Sequence, residues 1–234
     1  MKSKLFCISY AGGSANCYAI WNKYLSKDID LIPIELAGRG KRMGEPFYDS
    51  WESLAKDIYK KIVDNINDGD NYAIYGHSMG SWITYEVVKR IYKNNINKPY
   101  ELFFSANSPP HLEPKEEKIS SLPDDDFAKK IYDMGDTPKE ILSGELKNFF
   151  LPILRSDYKL VESYPHKKEN IIFDCPIHVL YGTKDNLDYD DLIQWKKYAG
   201  SDFYINSFDG GHMFFKEKSL ETVNYLNSTM LKGE

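Results

Sequence analysis

Residues 72–90 read YAIYGHSMGSWITYEVVKR, and the pentapeptide GHSMG at 76–80 decides the fold. An apolar run leads into the pentapeptide and a helix-like run follows it. The pattern G-x-S-x-G between a strand and a helix predicts a sharp, strained turn that exposes its central serine, Ser78. Side chains at Gly76 and Gly80 would clash with the neighbouring strand and helix, and the helix N-terminus brings its positive end behind the serine. The stretch therefore predicts a strand, a nucleophilic serine and a helix, in that order.

Strand-like and helix-like runs alternate along most of the chain. Such alternation is typical of βαβ units and predicts an α/β fold with a mostly parallel central sheet and helices on both faces. The length of 234 residues fits one domain, residues 1–234. The predicted strands are 5–10, 30–35, 71–75, 100–106, 177–181 and 202–207, and the predicted helices are 15–25, 51–66, 78–92, 189–198 and 219–231.

Residues 108–170 interrupt this alternation. They carry helical patterns at 124–134, 138–143 and 145–164 and no convincing strand. A helical insertion between two strands can cover an active site, and we predict a helical lid here. The alternative is a group of extra helices that only pack against the sheet.

Composition and charge exclude several functional classes. The net charge of −5 argues against a general nucleic-acid binder, and no apolar stretch approaches the roughly 18 residues that span a membrane. The N-terminal residues enter a strand-like run without a signal-peptide pattern. The three cysteines cannot all pair with one another and are not spaced as a zinc site. We therefore expect a cytoplasmic protein without a metal or nucleotide cofactor.

A serine hydroxyl needs a base within about 3 Å and a third group that orients the base. In the α/β-hydrolase fold, which the motif and the alternation favour, these groups follow in the order Ser, Asp or Glu, His. His212 lies in a glycine-rich turn after the last predicted strand and is the predicted base, while Asp185 follows the preceding strand and is the predicted orienting acid. The competing residues fit this order and placement less well: His77, His111, His166, His178, Asp188, Asp190, Asp191 and Asp209.

An oxyanion hole needs two backbone amides aimed at the developing negative charge. The Met79 amide follows the nucleophile and is the predicted first donor. The turn YAGGS at 10–14, after the first strand, predicts the second donor, because glycines let the backbone approach a substrate closely. We assign the Ala11 amide, with Gly12 as the next choice. The alternative is an ordinary glycine turn.

A second glycine-rich loop, ELAGRGKR at 35–42, follows the second predicted strand and carries Arg39, Lys41 and Arg42. Basic side chains there could approach a phosphate. The alternative is a solvated connection.

These segments together resemble the type II thioesterases that serve nonribosomal peptide and polyketide synthases. The most discriminating part of the likeness lies within the insertion, because generic hydrolases lack it. The likeness extends over almost the whole chain and is carried by residues 5–15, 35–42, 76–80, 135–140 with 151–158, and 182–185 with 210–215.

The resemblance implies a monomeric or weakly associating cytosolic serine hydrolase, in which Gly12, Arg39 and Arg42 would contact the substrate or its carrier. Its substrate would be an acyl or aminoacyl thioester on the phosphopantetheine arm of an acyl or peptidyl carrier domain, and its role the clearing of mis-primed or stalled carriers. The substrate carries the phosphopantetheine, so no cofactor of the enzyme itself is implied. Three alternatives stay open: a carboxylesterase or lipase of the same fold, an acyltransferase, and a non-catalytic binding protein.

Overall fold

Six parallel strands form the central sheet of the protein, in the order β2-β1-β3-β4-β5-β6. The computed structural model describes residues 2–114, 117–135, 137–167 and 169–231. The sheet confirms the predicted α/β fold, and each strand lies within one or two residues of its predicted bounds. The strands are β1 (Ser3–Ile8), β2 (Ile29–Ile34), β3 (Tyr72–His77), β4 (Glu101–Ser105), β5 (Ile177–Gly182) and β6 (Phe203–Phe208).

Helices follow most strands. The α-helices are α1 (Trp51–Val63), α2 (Met79–Lys93), α3 (Asp124–Asp133), α4 (Gly144–Glu162), α5 (Tyr189–Leu192), α6 (Phe214–Glu217) and α7 (Ser219–Met230). Shorter 3₁₀ segments are Ala15–Lys23, Gly40–Arg42, Lys139–Leu142 and Ile193–Tyr198. No helix within the described ranges is long and apolar enough to cross a membrane.

Both faces of the sheet are buried. Along β1, Phe6 and Ile8 enter one apolar core together with side chains of α1 and α2. The intervening Leu5 and Cys7 enter a second core with side chains of the segment Ala15–Lys23 and of α7. Successive strand residues point to opposite faces, so the four consecutive buried residues of β1, at 5–8, are all apolar. This arrangement confirms the prediction of helices on both faces.

Two predicted helices differ in kind from the observed ones. The predicted helix 15–25 is a 3₁₀ segment, and the predicted helix 189–198 is one short α-helical turn followed by 3₁₀ structure. In a 3₁₀ helix, side chains three residues apart lie one above the other. Tyr18 and Trp21 have this spacing, and both are fully buried against the sheet. Burial of these two rings on one side of a short segment is compatible with the tighter helix.

The segment 108–170 holds α3, the turn Lys139–Leu142 and α4, in agreement with the three predicted helical patterns. Its helices share an apolar cluster of their own, which includes Phe127, Ile131 and Leu151. The end of α4 also reaches the main core through Leu160. Four of its residues lie outside the described residues: Lys115, Glu116, Asp136 and Lys168.

Candidate active site

Ser78 stands between β3 and α2 with backbone angles φ 55° and ψ −120°. L-residues rarely adopt this conformation, which costs of order 1–3 kcal/mol and persists only where the surroundings enforce it. A Cβ at Gly76 would lie 2.1 Å from the Gly80 carbonyl oxygen, and a Cβ at Gly80 would lie 2.3 Å from the Ile8 carbonyl oxygen. The predicted clashes at both glycines are therefore confirmed, and the pentapeptide forms the expected sharp turn.

Strand β4 holds this turn in place. The Ser78 amide donates to the Ser105 carbonyl at 2.7 Å, and the Asn107 side-chain amide donates to the Ser78 carbonyl at 2.9 Å. The Ser81 hydroxyl, one turn into α2, contacts the carbonyls of both Gly76 and Ser105. Backbone bonds therefore fix the strained serine from both sides.

His212 and Asp185 meet at the carboxyl edge of the sheet. Asp185 Oδ2 lies 2.9 Å from His212 Nδ1, and the carboxylate side chain is 8% exposed while the imidazole is 28% exposed. The Asn186 amide donates to the other carboxylate oxygen at 2.8 Å. Such a carboxylate keeps the imidazole in one tautomer and orientation. In that tautomer Nε2 of His212 carries the lone pair that can accept a proton.

The loops that carry these two residues are bonded together through their backbones. The Thr183 amide donates to the Phe208 carbonyl at 2.8 Å, and the Lys184 amide donates to the Gly210 carbonyl at 2.9 Å. A Cβ at Gly182 would lie 2.2 Å from the Gly211 carbonyl oxygen, so only glycine permits this approach. The Asp–His pair is consequently set by the parallel register of β5 and β6.

His77 links His212 to the serine turn. Its ring is fully buried, its Nδ1 lies 2.9 Å from Ser105 Oγ, and its centroid lies 5.4 Å from that of His212. Burial, followed by the nearby His212, holds the pKa of His77 well below its usual value, so this imidazole is neutral at physiological pH. The residue directly before Ser78 therefore touches the ring of the predicted base.

The remaining histidines and acids have other partners. His178 contacts Glu101 and Tyr225, and His111 contacts Tyr198. Asp188 caps α5 by accepting from the Asp190 amide at 2.9 Å, whereas Asp209 pairs with Lys184.

The turn at 10–13 lies against the serine turn. The first turn of α2 packs on the end of β1, and the ring of Tyr10 contacts the ring of His77. The Met79 amide is the first of α2, where an amide has no acceptor within its own helix. Ala11 is the second residue of the turn, and a hydrogen bond from the Gly13 amide to the Tyr10 carbonyl, 2.9 Å long, closes it.

Gly12 and Arg39 both have partners within the protein. The Gly12 amide donates to Asp157 Oδ2 at 2.7 Å. Arg39 is 2% exposed, and its guanidinium pairs with Asp157 on both carboxylate oxygens. Contact of Arg39 with a phosphate would require this ion pair to be exchanged, and the binding roles of both residues stay predictions.

Arg42 is also engaged within the protein, although it lies nearer the surface. Its guanidinium contacts Asp57 at 2.7 Å, Tyr48 Oη at 3.1 Å and the carboxylate of Glu45. Pairing with Glu45 and Asp57 raises the pKa of the guanidinium. The predicted carrier contact of Arg42 would require these bonds to be exchanged, while the neighbouring Lys41 is exposed.

Asp157 is the residue of this region that the sequence analysis missed. Its sequence context, a charged residue within an amphipathic helix, is the pattern of a solvated side chain. Only the fold brings it to Arg39, 118 residues away. Within the described part of the chain, no group of three or more His, Cys, Asp or Glu side chains could hold a metal ion.

Comparison with known proteins gives one consistent result. The model of the thioesterase domain family matches residues 3–227. The gramicidin S biosynthesis protein GrsT of Aneurinibacillus migulanus is 31% identical over 228 residues, which cover 96% of this chain and 88% of that protein. The medium-chain S-acyl fatty acid synthase thioesterase of Homo sapiens is 26% identical over 234 residues, which cover 95% and 85% of the two chains.

A solved structure extends the likeness to three dimensions. The crystal structure of ClbQ from the colibactin NRPS/PKS pathway superposes with a TM-score of 0.92 at 34% identity, covering 98% of this chain and 97% of that one. The resemblance to type II thioesterases is thereby confirmed. The chain belongs to the thioesterase domain family, and it is a thioester hydrolase of the α/β-hydrolase fold.

Proposed function

We propose that this protein hydrolyses acyl or aminoacyl thioesters from the phosphopantetheine arms of carrier domains in a nonribosomal peptide or polyketide synthase. The observation that carries the proposal is the near-complete overlap with ClbQ, a protein named for such a pathway. GrsT, named for gramicidin S biosynthesis, supports the same assignment. The role that we propose for this protein is the editing of mis-primed or stalled carriers.

In the proposed reaction, Ser78 Oγ attacks the thioester carbonyl while His212 Nε2 takes its proton. Asp185 holds the imidazole and stabilises the imidazolium that forms. The amides of Met79 and Ala11 stabilise the tetrahedral oxyanion. The pantetheine thiolate leaves with the proton from His212, and a water activated by His212 then releases the acyl group and restores Ser78.

We propose that residues 108–170 form a lid over this site within a single catalytic domain. Two contacts support the placement of its longest helix, α4. The Leu154 side chain lies directly above Gly12, and Asp157 accepts from the Gly12 amide. The helix therefore covers the turn that carries the second proposed oxyanion donor. Residues of the lid that face the substrate would determine the acyl preference.

The deciding experiment measures thiol release from acetyl- and aminoacyl-phosphopantetheinyl carrier protein by the wild type and by Ser78→Ala. We expect release by the wild type alone. A medium-chain fatty acyl carrier serves as a further substrate, because the family includes fatty acid synthase thioesterases. Absence of release from every carrier, together with hydrolysis of a small oxygen ester, would replace the proposal with the carboxylesterase alternative.

Three further properties belong to the proposal. The enzyme would need no cofactor, act as a monomer and work in the cytoplasm, where carrier domains are loaded. Full activity after treatment with a chelator, and the size of the purified protein in gel filtration, test the first two.

A further inference from the structure

A buried ion pair joins two distant parts of the chain beside the proposed active site. Arg39, in the loop after β2, and Asp157, on α4, have side chains only 3% and 2% exposed. Arg39 Nη2 donates to Asp157 Oδ1 at 2.7 Å, and Nη1 donates to Oδ2. A buried pair of this kind contributes little net stability compared with apolar residues of similar size. Net stability alone therefore does not account for the pair.

The same two side chains bind the turn at 10–13. Asp157 Oδ2 accepts from the Gly12 amide at 2.7 Å, and Arg39 Nη1 donates to the Gly13 carbonyl at 3.2 Å. On the far side of the turn, the Glu35 carboxylate accepts from the Ser14 hydroxyl and the Ala15 amide, each at 3.0 Å. The turn is thus held by three buried or half-buried charged groups.

These bonds determine the conformation of the turn. Gly12, its third residue, has φ +80°, and the Gly13 amide bonds to the Tyr10 carbonyl, as in a type II turn. Types I and II differ by a flip of the central peptide, here the one between Ala11 and Gly12. Asp157 accepts the amide hydrogen of that peptide, so it selects one of the two orientations.

The direction of the Ala11 amide follows from this geometry. In a planar trans peptide the N–H points opposite to the C=O. The Tyr10 carbonyl points inward, to the Gly13 amide, so the Ala11 N–H points out of the turn. A flip of the central peptide would change ψ of Ala11 and φ of Gly12 but leave this N–H in place. Asp157 and Arg39 therefore act on the donor by fixing the position of the turn that carries it, through the Gly12 amide and the Gly13 carbonyl.

We propose that Arg39 and Asp157 are positioning residues that aim the Ala11 amide at the oxyanion, so that the second donor is in place only while α4 is docked on the turn. This inference rests on the proposed function, because it assigns the oxyanion donor of that reaction. Leu154 adds to the coupling, since a Cβ at Gly12 would lie 2.4 Å from its Cδ2.

The test uses an acyl thioester of N-acetylcysteamine, which has no carrier domain, so that docking of a carrier does not enter. The main variant is Arg39→Met with Asp157→Leu, which replaces the pair with apolar side chains and leaves no buried charge unpaired. Asp157→Asn is the second variant. Arg155→Met is the matched control: it removes a cation from the same helix, but its hydrogen bonds go to Ser120, Leu122 and Asp124.

Loss of one oxyanion donor lowers kcat by about 10²–10³-fold. We expect the double variant to lose about 10²-fold in kcat with KM within about threefold, and to bind a trifluoromethyl ketone analogue correspondingly more weakly. Binding of a non-hydrolysable thioether analogue should not change. The control should stay within about twofold of the wild type in every measurement.

A merely structural role predicts a different pattern. Thermal unfolding and circular dichroism identify variants that remain folded at the assay temperature, and amide hydrogen exchange of Gly12 reports on the turn without any substrate. A folded double variant with wild-type kcat, or with a protected Gly12 amide, overturns the inference. An inactive wild type would instead remove the proposed function itself.

Discussion

The rings of His77 and His212 stand edge to face, with centroids 5.4 Å apart and planes inclined by 65°. One ring is fully buried at the end of β3, and the other lies on the loop after β6. The neutral ring of His77 therefore packs against the ring of the proposed base, and its protonation would bury a cation against His212.

This contact predicts a pH-dependent stability. The folded-state pKa of His77 is lowered, so the unfolded chain binds a proton below about pH 6.5 while the folded chain does not. Stability is retained above that pH and falls as pH decreases, by up to about 1.4 kcal/mol per pH unit. His77→Gln should remove this slope in urea unfolding between pH 7.5 and 5.

His166 supplies the comparison for that measurement. Its pKa is also lowered by burial, but the residue is only half-buried, so His166→Gln should change the slope less. An unchanged slope in His77→Gln would mean that His77 takes up its proton in the folded state.

Ser78 is held in a strained backbone conformation, so its presence lowers the stability of the folded protein. A residue that tolerates this conformation should restore stability while removing the nucleophile. The φ of 55° and ψ of −120° at Ser78 match the first central residue of a type II′ turn, where glycine is favoured. Ser78→Gly should be more stable than Ser78→Ala by about 1 kcal/mol, because relief of roughly 1–3 kcal/mol of strain exceeds the extra unfolded-state entropy of glycine.

Both Ser78 variants should lose on the order of 10⁶-fold in turnover. Urea unfolding compares their stabilities. Equal stability of the glycine and alanine variants would show that the turn is not strained at this residue.

The Asp185–His212 bond predicts a large loss on neutralising the acid. Asp185→Asn keeps the shape of the side chain but offers His212 an amide that favours the wrong tautomer, so kcat should fall on the order of 10⁴-fold. Asp188→Asn is the matched control, because Asp188 lies three residues away and caps a short helix. Steady-state hydrolysis of a small thioester gives both values, and a larger loss in Asp188→Asn would reassign the acid.

Two neighbouring cations in the loop at 35–42 differ in their surroundings: Arg42 is hydrogen-bonded within the protein, and Lys41 is exposed. Arg42→Met should lower the free energy of unfolding by about 1–2 kcal/mol, because it leaves the half-buried Asp57 and Tyr48 without their shared donor. Lys41→Met, on the exposed neighbour, should stay within about 0.5 kcal/mol of the wild type.

Charge reversal at the same lysine tests carrier docking. If this loop receives the carrier, Lys41→Glu should raise KM for an acylated carrier protein and leave KM for a small acyl thioester unchanged. Equal effects on the two substrates would exclude a docking role for Lys41.

Local sequence patterns were sufficient to predict the sheet and the serine turn. They did not predict the ion pair between Arg39 and Asp157 beside the site. The inner strands β1, β3, β4 and β5 follow from apolar runs buried on both faces. The turn at Ser78 follows from two glycines, because close packing leaves no room for a side chain at either position. Arg39 appeared to be a surface cation because its loop is rich in glycine and charge. Its partner lies 118 residues further on, in a helix whose docking position no local pattern specifies.

The same limit applies to helix type. A helix is predicted at 15–25, and the spacing of the buried rings Tyr18 and Trp21 suits a 3₁₀ segment. The sheet surface against which these rings pack favours the 3₁₀ segment, and the shape of that surface cannot be read from residues 15–25 alone.

The ion pair between Arg39 and Asp157 also limits how this enzyme can be re-engineered. Residues 108–170 enter after β4 and leave before β5, so they could be exchanged as a cassette between relatives to transfer acyl specificity. A donor cassette without a carboxylate at the Asp157 position would trap an uncompensated guanidinium in the interior, at a penalty of roughly 3–5 kcal/mol. A donor cassette should therefore carry a carboxylate at the Asp157 position. Otherwise Arg39 should be replaced together with the cassette.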